Sequence, residues 1–362
     1  MTPMGSVRQH MPGDDDWGEV RSEIDRLLSD LVDREAESFR RLGLEELPHP
    51  VRQHLQGGKR TRALFCYWGW RCAGGQRNAG PATAAGAAME ANHSAFLIHD
   101  DIVDRSALRR GRPALYRHFT GVHTENGWFG SANAYGDGAA LLLGDIVFAW
   151  AGELIAQAAT GDTAARVRAA YDRMQQDTGY GQLLEARIQA DREFSVERCR
   201  TVVLYKAVRY MVTPSLLIGA ALAEAPPELT GAYEVFGDAL GEAYQMRDDL
   251  LGAFGNPLVT GKPNLDDLRE GKPTVLFATA LEHADLATRT LLLGLYGRPD
   301  LDEKDADAIR LILRESGAVE EVEASIASLR DRAERALHEA PLTDMARQRL
   351  ISLADRAVFR TS

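Results

Sequence analysis

Residues 97–104 read Leu97-Ile98-His99-Asp100-Asp101-Ile102-Val103-Asp104, so an apolar helical run ends in three aspartates. If the helix continues through them, Asp100 and Asp104 lie one turn apart on the same face, with Asp101 about 100° round. Three carboxylates this close repel one another unless a cation lies among them, and hard divalent cations prefer oxygen ligands. The stretch therefore predicts a metal-binding rim, beside a basic loop at residues 109–112 that offers a place for an anion.

A second predicted helix ends in the same way. Residues 245–252 read Gln245-Met246-Arg247-Asp248-Asp249-Leu250-Leu251-Gly252, and a loop containing Lys262 and Lys272 follows. Two such helix ends indicate the two walls of one site. A carboxylate cannot hold a phosphate directly because both are anions, but Mg²⁺ between them can, with Lys and Arg neutralising the remaining charge. The pattern predicts a diphosphate substrate, and an apolar cavity between the helices predicts that the rest of it is a hydrocarbon.

Apolar residues recur at helical spacing along most of the chain, and no alternating strand pattern of any length is present. The sequence therefore predicts an all-α, single-domain helical bundle that encloses a deep apolar cavity. Residues 1–16 are predicted to be a disordered leader and 17–362 the domain. Connectors or loops are predicted at 43–56, 105–138 and 255–271. The predicted helices are 17–42, one that opens at 57–62 and continues through Trp68, 81–102, 139–158, 163–192, 195–223, 229–254 and shorter ones beyond Lys272.

Composition narrows the class of partner. The 362 residues carry a net charge of −11, which argues against nucleic-acid binding and against stable docking on an anionic membrane. The most apolar run, residues 139–159, is interrupted by Asp145 and Glu153, so we expect no membrane insertion. Three cysteines without a spacing pattern predict reduced thiols in a cytoplasmic protein.

Several short motifs occur in a fixed order, each weak alone and very specific together. They are residues 57–62 (GGKRTR), Glu90 with His93, 99–104, 109–113 (RRGRP), Gly144-Asp145, Gly181-Gln182, Lys206, Gln245 with Asp248-Asp249, and Gly271-Lys272. From about Trp17 onward the chain resembles the trans-isoprenyl diphosphate synthases (polyprenyl synthases), most closely the short-chain geranylgeranyl diphosphate synthases of actinobacteria.

The resemblance implies a Mg²⁺-dependent prenyltransferase, usually homodimeric, that joins isopentenyl diphosphate to an allylic diphosphate by ionisation, condensation and elimination, without a protein nucleophile. Mn²⁺ is an expected substitute for Mg²⁺. The resemblance also implies that Gln245 lies near the developing allylic cation. The implied metal ligands are Asp100, Asp101, Asp104, Asp248 and Asp249; the implied contacts to the allylic diphosphate are Arg109, Lys206, Lys262 and Lys272; those to isopentenyl diphosphate are Lys59, Arg62, His93 and Arg110.

The chain departs from the family pattern at three positions. Gly252 stands where many members have a third aspartate, so one potential metal ligand is missing and Asp248 and Asp249 must suffice. Ala207 replaces a common threonine, which removes a hydroxyl that could stabilise the cation. Glu185 stands where the family usually has aspartate, and we expect that change to be mild.

Two residues before the first aspartates are expected to set product length. Ala95 and Phe96 lie five and four positions before Asp100, which on a helix is roughly 6–7.5 Å deeper along the axis. Family members that stop at C15 tend to have a bulky aromatic residue at the position of Ala95. The methyl group here favours a C20 product, with C15 and C25 as alternatives.

Other interpretations remain open at this stage. A class I terpene cyclase would need no second diphosphate site and typically carries a different second metal motif. A non-catalytic synthase subunit usually lacks aspartates from one motif, and a generic acidic ion binder leaves the basic loops unexplained. Individually, an aspartate pair is often a solvated cap, residues 59–62 often a solvated charge run, and His93 a core histidine. We expect His99 to be structural.

Overall fold

Helices make up almost all regular structure in the computed structural model, which describes residues 14–75, 79–255 and 265–358. The α-helices are α1 (Asp14–Arg41), α2 (Pro48–Leu55), α3 (Thr61–Cys72), α4 (Gly80–Val103), α5 (Leu115–Glu125), α6 (Ala132–Gln157), α7 (Gly161–Asp191), α8 (Val196–Val202), α9 (Thr213–Leu222), α10 (Pro227–Phe254), α11 (Asp266–Glu270), α12 (Val275–His283), α13 (Leu286–Leu295), α14 (Glu303–Glu315), α15 (Ala318–Glu339) and α16 (Asp344–Val358). A π-helix, Val203–Val208, joins α8 to α9. The predicted all-α fold is confirmed.

The helix ends follow the local sequence. Ser131 accepts a hydrogen bond from Ala134 N at the start of α6, and Thr274 accepts one from Phe277 N at the start of α12, which satisfies amide groups that have no partner inside the helix. The helices α2, α4, α9 and α10 begin with proline in the first turn, where the missing N–H costs nothing.

The predicted connector at residues 43–56 is wrong, because residues 48–55 form α2. This helix buries Pro50, Val51 and Leu55 against the core, and its two prolines lie in the first turn, where they do not interrupt the helix. The predicted loop at 105–138 is also wrong in large part. It contains a short antiparallel hairpin of β1 (Leu108–Arg109) and β2 (Arg112–Pro113), then α5, and α6 begins at Ala132.

The long helix predicted over residues 195–223 is interrupted. The π-helix follows α8, and a non-helical turn at residues 209–212 precedes α9. Proline cannot donate the backbone hydrogen bond of a helix interior, so Pro214 begins a new helix instead of continuing the old one. A Cβ at Gly181 of α7 would overlap Lys206 N, so the missing side chain lets the π-helix approach α7 closely.

The alanine-rich helix α4 lies at the centre of the packing. It packs against α6 along much of its length and also contacts α1, α3 and α9. Its small residues Ala85, Ala87 and Ala88 are fully buried, which lets neighbouring helices come close. The helix α10 packs against α15 and the π-helix. Both aspartate-bearing helices are therefore held by neighbours along most of their length.

Three further expectations concern the start of the chain, its long apolar helices and its cysteines. The predicted leader ends at residue 16, whereas α1 begins at Asp14, and residues 1–13 lie outside the described part of the chain. Two segments, Ala132–Gln157 and Val196–Leu222, are long and apolar enough to cross a membrane by length and composition alone. The share of the most apolar window that is buried in the protein is 44% for the first segment and 72% for the second. The cysteines Cys66, Cys72 and Cys199 are free.

Candidate active site

The first aspartate wall is the C-terminal end of α4. Asp100 and Asp104 follow one another by one turn, and Asp104 N donates a backbone hydrogen bond to Asp100 O. Asp101 points elsewhere: it is 1% exposed and its Oδ1 accepts a 2.9 Å hydrogen bond from Arg109 Nε. The three aspartates therefore do not form one cluster, because the helix turns Asp101 into the protein. Arg109, predicted to contact a diphosphate, holds Asp101 and lies 3.8 Å from Asp100 Oδ2.

Lys206 connects this wall to the π-helix. Its Nζ pairs with Glu185 of α7 and lies 3.5 Å from Asp100 Oδ1. Burial lowers the pKa of Lys206, but the charges of Glu185, Asp100 and Asp104 outweigh burial and raise it above the usual range. Lys206 is therefore a permanently charged ammonium group directly beside the first wall.

The second aspartate wall is the C-terminal part of α10. Gln245 Nε2 donates a 2.8 Å hydrogen bond to Asp249 Oδ1, one turn further along the helix. Lys272 Nζ lies 2.9 Å from Asp267 Oδ1 and 2.8 Å from Glu270 Oε2. This lysine is the second ammonium group of the site, and two carboxylates of α11 hold it.

Lys272 acts electrostatically on both walls. Its positive charge acts on the carboxyl groups of Asp100 and Asp104 from the first wall and of Asp249 from the second. The C-terminal ends of α4 and α10 therefore both lie within electrostatic range of Lys272. Lys262, predicted for the same site, lies outside the described residues.

The carboxyl groups of the site are crowded. Burial, followed by the negative charge of Asp100, raises the pKa of Asp104 to about 7. Burial also raises the pKa of Asp249 to about 8, against the hydrogen bond from Gln245 and with the charges of Asp248 and Asp267 adding to the rise. Carboxylate oxygens are the donors that Mg²⁺ prefers, and added positive charge would relieve this repulsion. The donor set therefore fits a hard divalent cation.

Neither wall provides a complete metal site by itself. Over residues 14–75, 79–255 and 265–358, no group of three or more His, Cys, Asp or Glu side chains is arranged to hold a metal ion. Mg²⁺ usually keeps several water molecules and takes only one or two protein carboxylates together with substrate phosphates. Asp100 and Asp104 on one wall, with Asp248 and Asp249 on the other, fit this mode of coordination better than a site made only of protein ligands.

A second basic group surrounds His93. Its Nδ1 is hydrogen-bonded to the Tyr210 hydroxyl at 2.7 Å, and the guanidinium of Arg62 lies over the Tyr210 ring, 4.2 Å from its centroid. Burial, then the positive charges of Arg62, Arg110 and Arg109, hold the pKa of His93 well below its usual range. Arg110 donates to the backbone oxygens of His54 and Gln56 at 3.1 and 2.7 Å. Three predicted ligands of isopentenyl diphosphate therefore lie together.

The basic run at residues 59–62 is divided between surface and core. Lys59 is exposed and Arg62 is half-buried, whereas Arg60 is 2% exposed and pairs with Asp25 and Glu90. Glu90 also accepts a hydrogen bond from Ala63 N at the first turn of α3. The interpretation as a solvated charge run is therefore wrong for Arg60, whose role is structural. His99 is structural too, since its Nε2 lies 3.1 Å from Leu141 O and its ring packs on Gly144.

Two residues of the wall region escaped the sequence analysis as site residues. Glu185 holds Lys206, and Asp267 holds Lys272 while also lying against Gly252. The signal for Asp267 was its spacing of five residues before Lys272 at a helix end, a pattern too common in surface loops to single out.

Comparison with known proteins places this geometry in a family. The family model described as polyprenyl synthetase matches residues 45–313. The chain belongs to the polyprenyl synthetase family. Geranylfarnesyl diphosphate synthase of Aeropyrum pernix is 31% identical over 82% of this chain and 88% of its own length. Geranylgeranyl diphosphate synthase of Mycobacterium tuberculosis is 32% identical over 76% of this chain and 75% of its own length.

The fold agrees with the same assignment. The crystal structure of geranylgeranyl pyrophosphate synthase from Corynebacterium glutamicum, complexed with isoprenyl diphosphate and magnesium, superposes with a TM-score of 0.84. It is 32% identical, and the match covers 93% of this chain and 99% of that one. This polyprenyl synthetase is thus a trans-prenyltransferase, so the predicted family and enzyme class are confirmed. The relatives differ in the product that they are named for.

Proposed function

We propose that this prenyltransferase condenses isopentenyl diphosphate with an allylic diphosphate, depends on Mg²⁺ and makes a C20 product. The observation that supports this most is that the basic side chains form two separate groups, only one of which lies at the carboxylate walls. Lys206 and Lys272 lie among the aspartates, whereas Arg62, His93 and Arg110 form a second group that contains no aspartate of either wall. Two diphosphates need two such places.

In this proposal the allylic diphosphate lies between the walls. Asp100, Asp104, Asp248 and Asp249 would hold Mg²⁺, which when bound supplies the positive charge that makes diphosphate a good leaving group. Lys206 and Lys272 hold the phosphate oxygens as the C–O bond breaks, since both are permanently charged and already fixed by carboxylates. Asp101 acts indirectly, because it holds Arg109 in place.

Isopentenyl diphosphate would lie against the second basic group. Lys59, Arg62 and Arg110 supply the positive charge there. Because its pKa is lowered by burial and by Arg62, His93 is neutral and contributes a hydrogen bond instead of a charge. The isopentenyl double bond attacks the allylic carbon, a C–C bond forms, and the proton lost from the product passes to the released diphosphate. Gln245 gives its amide N–H to Asp249, which leaves its carbonyl oxygen to face a developing cation.

The C20 product rests on the residues beneath the first wall. Ala95 is fully buried and contributes only a methyl group. Phe96 packs edge-on against Phe148 and Tyr210, with ring centroids 4.8 and 5.4 Å apart, which narrows the path without filling the place of Ala95. A farnesyl chain that passes Ala95 can accept one further C5 unit. The deep apolar cavity below these residues stays a prediction.

We further propose a homodimer in the cytoplasm. Neighbouring helices α6 and α7 expose large apolar side chains, among them Leu142 (63% exposed) and Leu183 (71% exposed). Exposed apolar groups on adjacent helices favour burial against a second copy. Light scattering should give twice the monomer mass, and Leu142→Glu with Leu183→Glu should halve it; a monomeric wild type would refute the dimer. The free thiols Cys66, Cys72 and Cys199 suit a reducing compartment.

One assay tests the proposed reaction. The protein is supplied with Mg²⁺, isopentenyl diphosphate and, separately, dimethylallyl, geranyl and farnesyl diphosphate, and the products are identified by mass. The proposal expects geranylgeranyl diphosphate from farnesyl diphosphate and strict dependence on both substrates. A hydrocarbon or alcohol formed without isopentenyl diphosphate would indicate a terpene cyclase, and no product with any starter would indicate a non-catalytic subunit.

A further inference from the structure

The space beside Gly252 is filled by a carboxylate from another helix. A Cβ at position 252 would overlap Asp267 Oδ2. Gly252 follows Asp248 by one turn on α10, so a side chain there would leave the same face of the helix as Asp248. Asp267 therefore reaches from α11 into the place that a third aspartate of the second motif would take.

The same carboxylate holds a lysine of the site. Asp267 Oδ1 lies 2.9 Å from Lys272 Nζ, while Oδ2 lies against Gly252. Lys272 is half-buried and its charge acts on Asp104 and Asp249 of the two walls. One side chain thus spans the gap between the backbone of α10 and the ammonium group that faces both walls.

We propose that position 252 must lack a side chain so that Asp267 can fill that space and position Lys272 between the walls. Glycine in place of the third aspartate then does not mean that the site has lost a function. A side chain at position 252 would displace Asp267 and leave Lys272 held by Glu270 alone, which would loosen its position between the walls. The inference rests on the proposed function only where Lys272 is taken as a diphosphate ligand.

The effect on the site can be separated from an effect on folding. The atom that a new Cβ would meet is the outer end of a half-exposed side chain, which can swing away without moving any backbone. Alanine is also a better helix former than glycine. Gly252→Ala should therefore keep or raise the melting temperature while it displaces the Asp267 carboxylate. Gly231→Ala on the same helix is a matched control, because a Cβ there meets no atom within 4 Å.

The first measurement needs no substrate. The rate at which an amine-specific acylating reagent modifies Lys272 is followed by mass spectrometry in the full-length, metal-free protein. We expect Gly252→Ala and Asp267→Asn each to raise this rate several-fold, and Gly231→Ala to leave it unchanged. In the double variant Gly252→Ala/Asp267→Asn the rate should match that of Asp267→Asn alone, because glycine acts through Asp267.

The second measurement is the Kd for inorganic diphosphate in the presence of Mg²⁺, by calorimetry. Gly252→Ala and Asp267→Asn should each weaken binding by about tenfold, the usual size of an effect from a residue that holds a ligand group in place. The inference is overturned if Gly252→Ala leaves the labelling of Lys272 at the wild-type rate, or if the two effects multiply in the double variant. If the variants show the predicted labelling rates but the wild-type protein forms no prenyl product, the proposed function is refuted and the inference about position 252 is not.

Discussion

Lys206 Nζ lies 3.5 Å from Asp100 Oδ1 although the two residues are 106 positions apart in the chain. The other neighbour of this ammonium group is Glu185 of α7. Lys206 is therefore shared between a carboxylate of the first wall and a carboxylate outside both walls. This sharing keeps a positive charge at the site without letting it neutralise Asp100 completely.

Removing the charge of Glu185 should upset this balance. In Glu185→Gln the nearest carboxylate to Lys206 is Asp100, so the lysine competes with Mg²⁺ for it. We expect the Mg²⁺ concentration for half-maximal activity to rise by about tenfold or more. Initial rates across a Mg²⁺ titration measure this. Exposed Glu197→Gln on neighbouring α8 is the control, and an unchanged Mg²⁺ dependence in Glu185→Gln would contradict the role of Glu185.

The raised pKa of Asp104 predicts a stability effect in the metal-free protein. Its pKa in the folded state is about 7 and its ordinary value is 3.8, so the folded protein binds the proton more tightly than the unfolded chain does. The stability from Asp104 is present below pH 4 and is lost as pH rises through 7. Asp104→Asn should therefore raise the free energy of unfolding relative to wild type at pH 8, on the scale of about 1.4 kcal/mol per pKa unit.

Denaturant unfolding in EDTA at pH 4 and pH 8 measures that difference. The gain from Asp104→Asn should vanish near pH 4, where the carboxyl group is protonated in both states. Added Mg²⁺ should stabilise the wild type at pH 8 and leave Asp104→Asn nearly unaffected. A substitution that destabilises the metal-free protein at pH 8 would show that Asp104 is not under electrostatic strain.

Most of the fold was predictable because its helices carry a strong apolar period. The stretch around Asp100 is an example. The apolar run before it predicts a helix, and the aspartates that follow predict where the helix ends. The α2 helix was missed because its two prolines resemble a connector, and its stability comes from burying Val51 and Leu55, which no local pattern records. The π-helix was missed because the apolar period of residues 195–223 does not distinguish it from an α-helix; its close approach to Gly181 of α7 is a contact between helices that no local pattern records.

The partly buried histidine His54 predicts acid sensitivity. Burial, opposed by a hydrogen bond to Ser94 O and aided by Arg110 and Arg109, lowers the pKa of His54 to about 4 from 6.5. The unfolded chain therefore binds this proton first, and the stability from a neutral His54 is lost as pH falls from 6.5 towards 4. The free energy of unfolding should fall in this window by up to about 1.4 kcal/mol per pH unit on account of His54.

His54→Gln should flatten that fall, because glutamine can donate to Ser94 O and does not titrate. Denaturant unfolding between pH 4.5 and pH 7, about the window set by the two pKa values, is the measurement. His338→Gln, at an exposed position on α15, is the control and should follow the wild type. A His54→Gln variant that loses stability as steeply as wild type would contradict the assignment to His54.

Filling the space at Ala95 should shorten the product. Ala95→Tyr places an aromatic ring where the buried methyl group now lies, so a farnesyl chain is blocked from further growth. We expect farnesyl diphosphate to become the main product, with a cost of roughly 1–3 kcal/mol in stability from overpacking. Mass analysis of the products measures the chain length, with Ala327→Tyr at an exposed position on α15 as the control. A product that stays C20 in folded Ala95→Tyr would exclude Ala95 from chain-length control.

Site residues were predictable where chemistry is local and less so where it spans helices. Asp100 and Asp104 follow from helical spacing alone. The separation of Asp101 from them was implied by its angle on the helix, but its burial under Arg109 depends on the hairpin that follows. The positioning of Lys272 by Asp267 depends on the missing side chain at Gly252. The sequence shows a glycine there but not that Asp267 fills the space beside it.

The most direct test of the central claim is whether the two walls act as one unit. Initial rates of condensation of farnesyl with isopentenyl diphosphate are measured for Asp104→Asn, Asp248→Asn and the double variant at saturating Mg²⁺. Substitutions of groups that serve one step together have strongly non-additive effects on the rate. The rate of the double variant should therefore be no more than about tenfold below that of the less active single variant. Losses that multiply in the double variant would contradict a single diphosphate site between α4 and α10.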